Sequence, residues 1–90
     1  MNINGKTILI TGANRGIGLA LVEISLEKGA EKIYATYRSP SNRSILENLG
    51  DRVVPLHLDL SDGTTIDQLS QAVPSLNILI NNAGIFSGAN

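Results

Sequence analysis

The sequence predicts an α/β fold, namely a doubly wound parallel sheet with helices on both faces. Short apolar runs of strand length, such as residues 8–10, alternate with segments whose apolar residues recur at helical spacing. A glycine-rich turn, residues 12–18, separates the first run from the first helical segment. Because alternating strands and helices are joined by right-handed crossovers, we expect four parallel strands in the order 3-2-1-4 and about three helices.

The predicted strands are rich in aliphatic and β-branched residues, and they cover residues 6–11, 32–37, 52–58 and 76–81. The third strand contains Pro55. Proline has no N–H group to donate to a neighbouring strand, so we expect this strand at or near an edge of the sheet.

The predicted helices cover residues 16–28, 43–49 and 64–72. The residues that share an apolar face, and that we expect to pack on the sheet, are Ile17, Ala20, Leu21 and Ile24 in the first helix and Ile66, Leu69 and Val73 in the third. Asp62 is the expected N-cap of the third helix. The second helix has two alternatives, a capping box of Ser44 with Glu47 or a simple cap by Asn42.

Length and composition fit one globular domain over residues 1–90. The chain has no cysteine, which excludes disulfides and cysteine-based metal sites. Its first residues, MNINGK, lack the basic and apolar segments of a signal peptide, and we expect a cytoplasmic protein. The net charge is −1 and the basic residues are dispersed, so we expect neither a nucleic acid nor a membrane as partner.

The glycines of the turn have the spacing Gly12-x-x-x-Gly16-x-Gly18. A helix that starts here directs unpaired N–H groups and the positive end of its dipole at the turn, an arrangement suited to phosphate. Glycines also let an anion approach the backbone. Taken alone, the triplet could equally be an ordinary tight turn before a helix.

Three motifs occur in order along the chain, TGANRGIG after the first strand, LDL after the third and NNAG after the fourth. Together they resemble the short-chain dehydrogenase/reductase family, and the stretch GAEKIYATYRSP resembles its small carbonyl-reductase-like members. The resemblance implies a Rossmann-type fold. It also implies an oxidoreductase that transfers hydride between NAD(P)(H) and a small carbonyl or alcohol substrate.

Arginines at two positions favour NADP over NAD as the cofactor. Sites for NAD usually place an acidic residue at the end of the second strand, where this chain has Tyr37 followed by Arg38. A guanidinium can pair with the 2′-phosphate of NADP, and Arg15 in the glycine turn could reach the same phosphate. The alternative is that Arg38 is merely a solvated loop cation.

Asp59 resembles the family's adenine-contacting aspartate, with the backbone of Leu60 beside it, although an aspartate here could also simply start a turn. The resemblance places Asn82 and the backbone of Ala83 and Gly84 along the nicotinamide ribose. The full set of expected cofactor-binding residues is Gly12, Asn14, Arg15, Gly16, Ile17, Gly18, Arg38, Asp59, Leu60, Asn82, Ala83 and Gly84.

The family's catalytic serine and Tyr-x-x-x-Lys have no match, because Tyr34 and Tyr37 are followed four residues on by Arg38 and Ser41. We therefore assign no catalytic residue and no metal ligand, and we expect His57 to be packed or solvated. The chain is interpreted as the amino-terminal, cofactor-binding part of a larger single domain, truncated before the catalytic half, where any homo-oligomer contacts would lie. The alternatives are a stand-alone dinucleotide-binding module and an inactive fragment.

Overall fold

Strands and helices alternate along the computed structural model, which describes residues 2–13, 16–59, 61–73 and 75–81. The elements are β1 (Thr7–Thr11), α1 (Gly16–Glu27), β2 (Lys32–Tyr37), α2 (Arg43–Glu47), β3 (Val53–His57), α3 (Gly63–Ala72) and β4 (Ile78–Asn81). A 3₁₀ turn at Pro40–Asn42 leads into α2. No helix within these ranges is long and apolar enough to cross a membrane.

The strands form one parallel sheet in the order β3-β2-β1-β4, which confirms the predicted fold class. Pro55 pairs in register with Ala35 of β2. In the part of the sheet that the structure describes, β3 is an edge strand, as its proline predicted.

The core lies between one face of the sheet and the helices α1 and α2. Alternate strand residues point to this face, among them Ile8, Ile10 and Ile33, and all three are fully buried. Val22 of α1 and Leu46 of α2 pack into the same cluster. The first two helices therefore cover the same side of the sheet.

The predicted apolar face of α1 is largely wrong, since Leu21 is the one residue of the four that packs against the core. The buried residues of the helix are Gly18, Val22 and Ser25, whereas Ile17 is 61% exposed and Ile24 is 44% exposed. The helix carries apolar residues around most of its circumference, so their spacing does not select one face. The face with small residues is the one that lies against the sheet.

For the third helix, the predicted N-cap is confirmed and the predicted buried face is partly wrong. Asp62 Oδ1 accepts a hydrogen bond from the Thr64 N–H at 2.9 Å. Leu69 and Val73 are half-buried, but Ile66 is 42% exposed, and Thr65 is the buried residue of the helix. The inward stripe therefore starts one residue earlier than predicted.

The second helix starts after Asn42, one of its two predicted caps, but neither predicted side-chain cap forms. Asn42 is its N-cap but makes no side-chain capping bond, and its backbone is already helical, with φ −92° and ψ −3°. The preceding 3₁₀ turn continues directly into the helix. An N-cap side chain reaches the first N–H groups of a helix when the cap residue has an extended backbone. Asn42 does not have this conformation.

Replacement of Leu46 by alanine should lower the free energy of unfolding by about 2–5 kcal/mol, because this side chain is fully buried in the core. Its neighbour Ile45 is 40% exposed and supplies a matched control in the same helix. Urea denaturation of both variants checks the prediction. Equal losses of stability for Leu46→Ala and Ile45→Ala would contradict the placement of α2.

Candidate functional site

The carboxyl ends of all four strands lie along one edge of the sheet. Thr11 pairs with Asn81 at the β1–β4 boundary, and Tyr37 pairs with His57 at the β2–β3 boundary. The three predicted stretches, namely the glycine turn, Arg38 and the residues after Asn81, therefore start from the same edge. In doubly wound sheets this edge, where the strand order reverses, is the usual place for a ligand.

The glycine turn is attached to β2 through one residue, Thr36. The Gly12 N–H donates to Thr36 Oγ1 at 2.9 Å, and the Ala13 N–H donates to the Thr36 carbonyl at 2.9 Å. Thr36 is 1% exposed. The start of the turn is therefore fixed to a buried position of the sheet.

The backbone of the turn requires glycine. Gly12 and Gly16 have φ of 62° and 59°, in the left-handed region that other residues seldom adopt. A Cβ built on Gly16 would meet nothing within 4 Å, so open space lies above the start of α1. Gly16 and Ile17 are exposed there, while Gly18 is buried. The start of α1 therefore borders open space at Gly16.

Arg38, His57 and two further side chains form a corner at the ends of β2 and β3. His57 Nε2 lies 2.9 Å from the Arg38 carbonyl oxygen, and the His57 ring stacks on Tyr37 with centroids 5.6 Å apart. Arg43 donates to the Tyr37 hydroxyl at 3.0 Å, and this bond raises the pKa of Arg43. Arg38 itself is exposed. His57 is packed against Tyr37, as expected. It also bonds to Arg38, which is the residue predicted to bind the 2′-phosphate.

Asp59 starts a tight turn. Its Oδ1 accepts bonds from the Ser61 hydroxyl at 2.6 Å and from the Ser61 N–H at 3.0 Å. These bonds lower the pKa of Asp59, and the positive charges of Arg38 and His57 lower it further. The carboxylate therefore stays ionised beside Arg38, and the turn predicted as the alternative for Asp59 is present.

Thr65 of α3 holds the main chain at Asp59 from behind. The Asp59 N–H donates to Thr65 Oγ1 at 3.0 Å, and this hydroxyl lies within hydrogen-bond distance of the carbonyls of Asp59 and Asp62, at 2.9 and 2.8 Å. Neither Thr65 nor Thr36 is among the site residues that the sequence predicts. Thr36 lies in a segment whose pattern already predicts a strand, and Thr65 lies in one that predicts a helix. The only further signal in the sequence is a small hydroxyl residue near the last residue of β2 and the first residue of α3.

Part of the predicted site lies outside the described residues: Asn14, Arg15, Leu60, Asn82, Ala83 and Gly84. The structure places the others along the same edge, with Gly12, Gly16, Ile17 and Gly18 after β1 and Arg38 and Asp59 after β2 and β3. Within the described ranges, no group of His, Asp and Glu side chains could hold a metal ion.

The sheet order and the glycine turn that opens α1 define the Rossmann class of α/β protein. The chain belongs to the short chain dehydrogenase family, whose model matches residues 6–90. This finding confirms the resemblance inferred from the three motifs.

Relatives and solved structures of this family match the chain along most of its length. It is 37% identical over 89 residues to 3-oxoacyl-(acyl-carrier-protein) reductase FabG of Vibrio harveyi, covering 94% of this chain and 36% of the relative. A short chain dehydrogenase from Burkholderia cenocepacia in complex with NADP is similar with a TM-score of 0.81 and 37% identity, covering 92% of this chain and 34% of that chain.

L-sorbose reductase from Gluconobacter frateurii, complexed with NADPH and L-sorbose, is similar with a TM-score of 0.71 and 32% identity. That match covers 93% of this chain and 36% of the reductase. The chain thus spans about a third of the length of the relatives it matches.

Removal of the Ser61 hydroxyl should raise the pKa of Asp59 towards the ordinary aspartate value of about 3.9, because this hydroxyl is the main cause of the lowered pKa. A carboxyl whose pKa is lowered by folding stabilises the fold above its unfolded pKa and loses that effect as the pH falls. Ser61→Ala should therefore reduce the acid-sensitive part of the stability. Carboxyl NMR titration measures the shift.

The control for this titration is Ser70→Ala, whose hydroxyl donates to the Asp67 carbonyl and contacts no carboxylate. It should leave the pKa of Asp59 unchanged. An Asp59 pKa that is the same in Ser61→Ala and in the unmodified protein would refute the turn geometry.

Proposed function

We propose that the chain is the NADP(H)-binding, amino-terminal part of an oxidoreductase that transfers hydride between NADP(H) and a carbonyl or alcohol. The main support is the juxtaposition of the glycine turn, fixed to β2 by Thr36, with the exposed Arg38 one residue beyond β2. When bound, the nicotinamide would supply the hydride. The described residues would bind and orient the cofactor.

The glycine turn suits the pyrophosphate. Gly12 and Gly16 adopt positive φ, and the space above Gly16 is open, so an anion can approach the N–H groups at the start of α1. The dipole of this 12-residue helix favours negative charge at the same place. Membership of a family with NADP- and NADPH-bound structures supports this assignment.

The preference for NADP rests on Arg38. Of the two arginines at this corner in the described part of the chain, Arg43 donates to Tyr37 and lies 3.5 Å from Glu47, whereas Arg38 extends into solvent. No acidic residue follows β2 directly, so no carboxylate there would repel a 2′-phosphate. The planar guanidinium of Arg38 can pair with that phosphate through two parallel bonds.

Asp59 is the proposed partner of the adenine amino group. Both of its bonds to Ser61 use Oδ1, and among the described residues no hydrogen bond uses Oδ2. An ionised carboxylate accepts hydrogen bonds and does not donate them, which matches an amino group and mismatches a ring nitrogen. Thr65 keeps the Asp59 main chain in place for this contact.

A second candidate is a dinucleotide-binding module without chemistry. It is favoured by one observation, namely that the main chains of the glycine turn, Arg38 and Asp59 are all held by contacts within these 90 residues. This candidate requires that the chain bind the cofactor by itself. The third reading, an inactive fragment, requires that it does not, and the exposed Leu79 of β4 favours poor solubility in that case.

Gly12→Val should abolish binding of NADPH, because valine is strained at φ 62° and its side chain would occupy the approach of the pyrophosphate. The matched control is Gly5→Val, since Gly5 has φ 74° and open space around it but precedes β1 at the opposite end of the sheet. Isothermal titration calorimetry measures binding, and circular dichroism checks the fold. Unchanged affinity in folded Gly12→Val would refute the pyrophosphate assignment.

Arg38→Asp should weaken NADPH binding by about tenfold or more and leave NADH binding nearly unchanged, because only NADPH carries the 2′-phosphate. Lys28→Asp changes the net charge equally at an exposed position at the end of α1 and serves as control. The measured quantity is the ratio of the two dissociation constants. A ratio that Arg38→Asp leaves unaltered would remove Arg38 from the site.

A further inference from the structure

We propose that His57 is the positioning residue for 2′-phosphate recognition, and that it acts by fixing the Arg38 peptide from which the guanidinium extends. The inference rests on the proposed function, because it concerns the same arginine. His57 lies on β3 and needs no contact with the cofactor itself. Its role would be to set the direction in which Arg38 leaves the sheet.

The bond between His57 and Arg38 has only one polarity. A carbonyl oxygen accepts and cannot donate, so the Nε2 atom 2.9 Å from it must carry the hydrogen. Arg38 is the first residue after β2, and the neighbouring Tyr37 carbonyl is bonded to the Leu58 N–H at 2.9 Å. His57 thus continues the pairing of β2 with β3 by one residue and holds a peptide that lies outside the strand.

The imidazole is itself held in place. It stacks on Tyr37 at an interplanar angle of 29°, and Tyr37 is a buried member of the core cluster. The Tyr37 hydroxyl accepts a bond from Arg43, whose guanidinium also lies 5.9 Å from the centre of the Tyr37 ring. A continuous set of contacts therefore runs from α2 through Tyr37 and His57 to the Arg38 peptide.

Charged groups of both signs lie around the imidazole. Asp59 is the negatively charged group, and it lies near enough to His57 that the imidazole helps to lower the pKa of Asp59. Arg38 and Arg43 are the cations of the corner. In both the neutral Nε2–H tautomer and the doubly protonated ring, Nε2 donates to Arg38.

Cofactor selectivity separates positioning from general stability. NADPH and NADH differ only in the 2′-phosphate. Displacement of Arg38 should therefore weaken the binding of NADPH alone, whereas a less stable fold should weaken the binding of both cofactors. His57→Phe keeps an aromatic ring against Tyr37 but removes the donor. His57→Gln keeps an N–H donor near the position of Nε2 but removes the ring.

The experiment is calorimetric titration of the purified protein and both variants with NADPH and with NADH. We expect His57→Phe to raise the dissociation constant for NADPH by about fivefold, the effect of one hydrogen bond, and that for NADH by less than twofold. His57→Gln should stay within about twofold of the unmodified protein for both cofactors. His57→Phe values that are unchanged, or that rise equally for both cofactors, would overturn the inference.

The outcome for Arg38→Asp distinguishes this inference from the proposed function. If Arg38→Asp changes the ratio and His57→Phe does not, only the role of His57 is overturned. If Arg38→Asp leaves the ratio unchanged, or the unmodified protein binds neither cofactor, the proposed function fails and the inference fails with it.

A second measurement needs no cofactor. His57 is the only histidine of the chain, so long-range ¹H–¹⁵N spectra report its ring nitrogens without ambiguity. The bond to Arg38 requires a hydrogen on Nε2. A ring protonated at Nδ1 alone in the folded protein at neutral pH would overturn the inference, because that tautomer cannot donate to the Arg38 carbonyl.

Discussion

The pair of hydrogen bonds between Thr36 and the glycine turn is the constraint on which the candidate site depends. Two backbone N–H groups, of Gly12 and Ala13, converge on the hydroxyl and the carbonyl of this one buried residue. The turn starts directly after β1, and its first two N–H groups are bonded to the end of β2. These bonds to a buried residue hold the start of a glycine-rich segment, which has high conformational entropy when free.

The same arrangement recurs at the two other parts of the site. Thr65 of α3 bonds to the main chain of Asp59, and His57 of β3 bonds to the main chain of Arg38. In each case a side chain on a regular element holds a loop peptide. The Arg38 side chain is exposed, and Asp59 uses only Oδ1 for its bonds to Ser61, while backbone contacts hold both main chains from behind. Residues that shape the site and residues that would contact the cofactor are therefore different residues.

The sequence was sufficient to predict the strand order, and the location of the candidate site stays a prediction that follows from this order. Apolar runs and helical segments alternate clearly, and Pro55 correctly indicated an edge strand. The motif residues predicted near one edge do start from that edge where the structure describes them. These features depend on local patterns and on the general handedness of crossovers, which do not require knowledge of side-chain contacts.

Contacts made across the fold could not be predicted in the same way. The inward face of α1 is set by Gly18 and Ser25, whose small size permits close packing, while hydrophobicity alone favoured Ile17 and Ile24. The bond from His57 joins residues 19 positions apart, and no local pattern encodes it. Burial of a polar side chain is favourable only when a partner is in reach, so its role becomes visible only once the strands are placed. The polar residues that fix this site are for that reason the ones that sequence patterns identify least well.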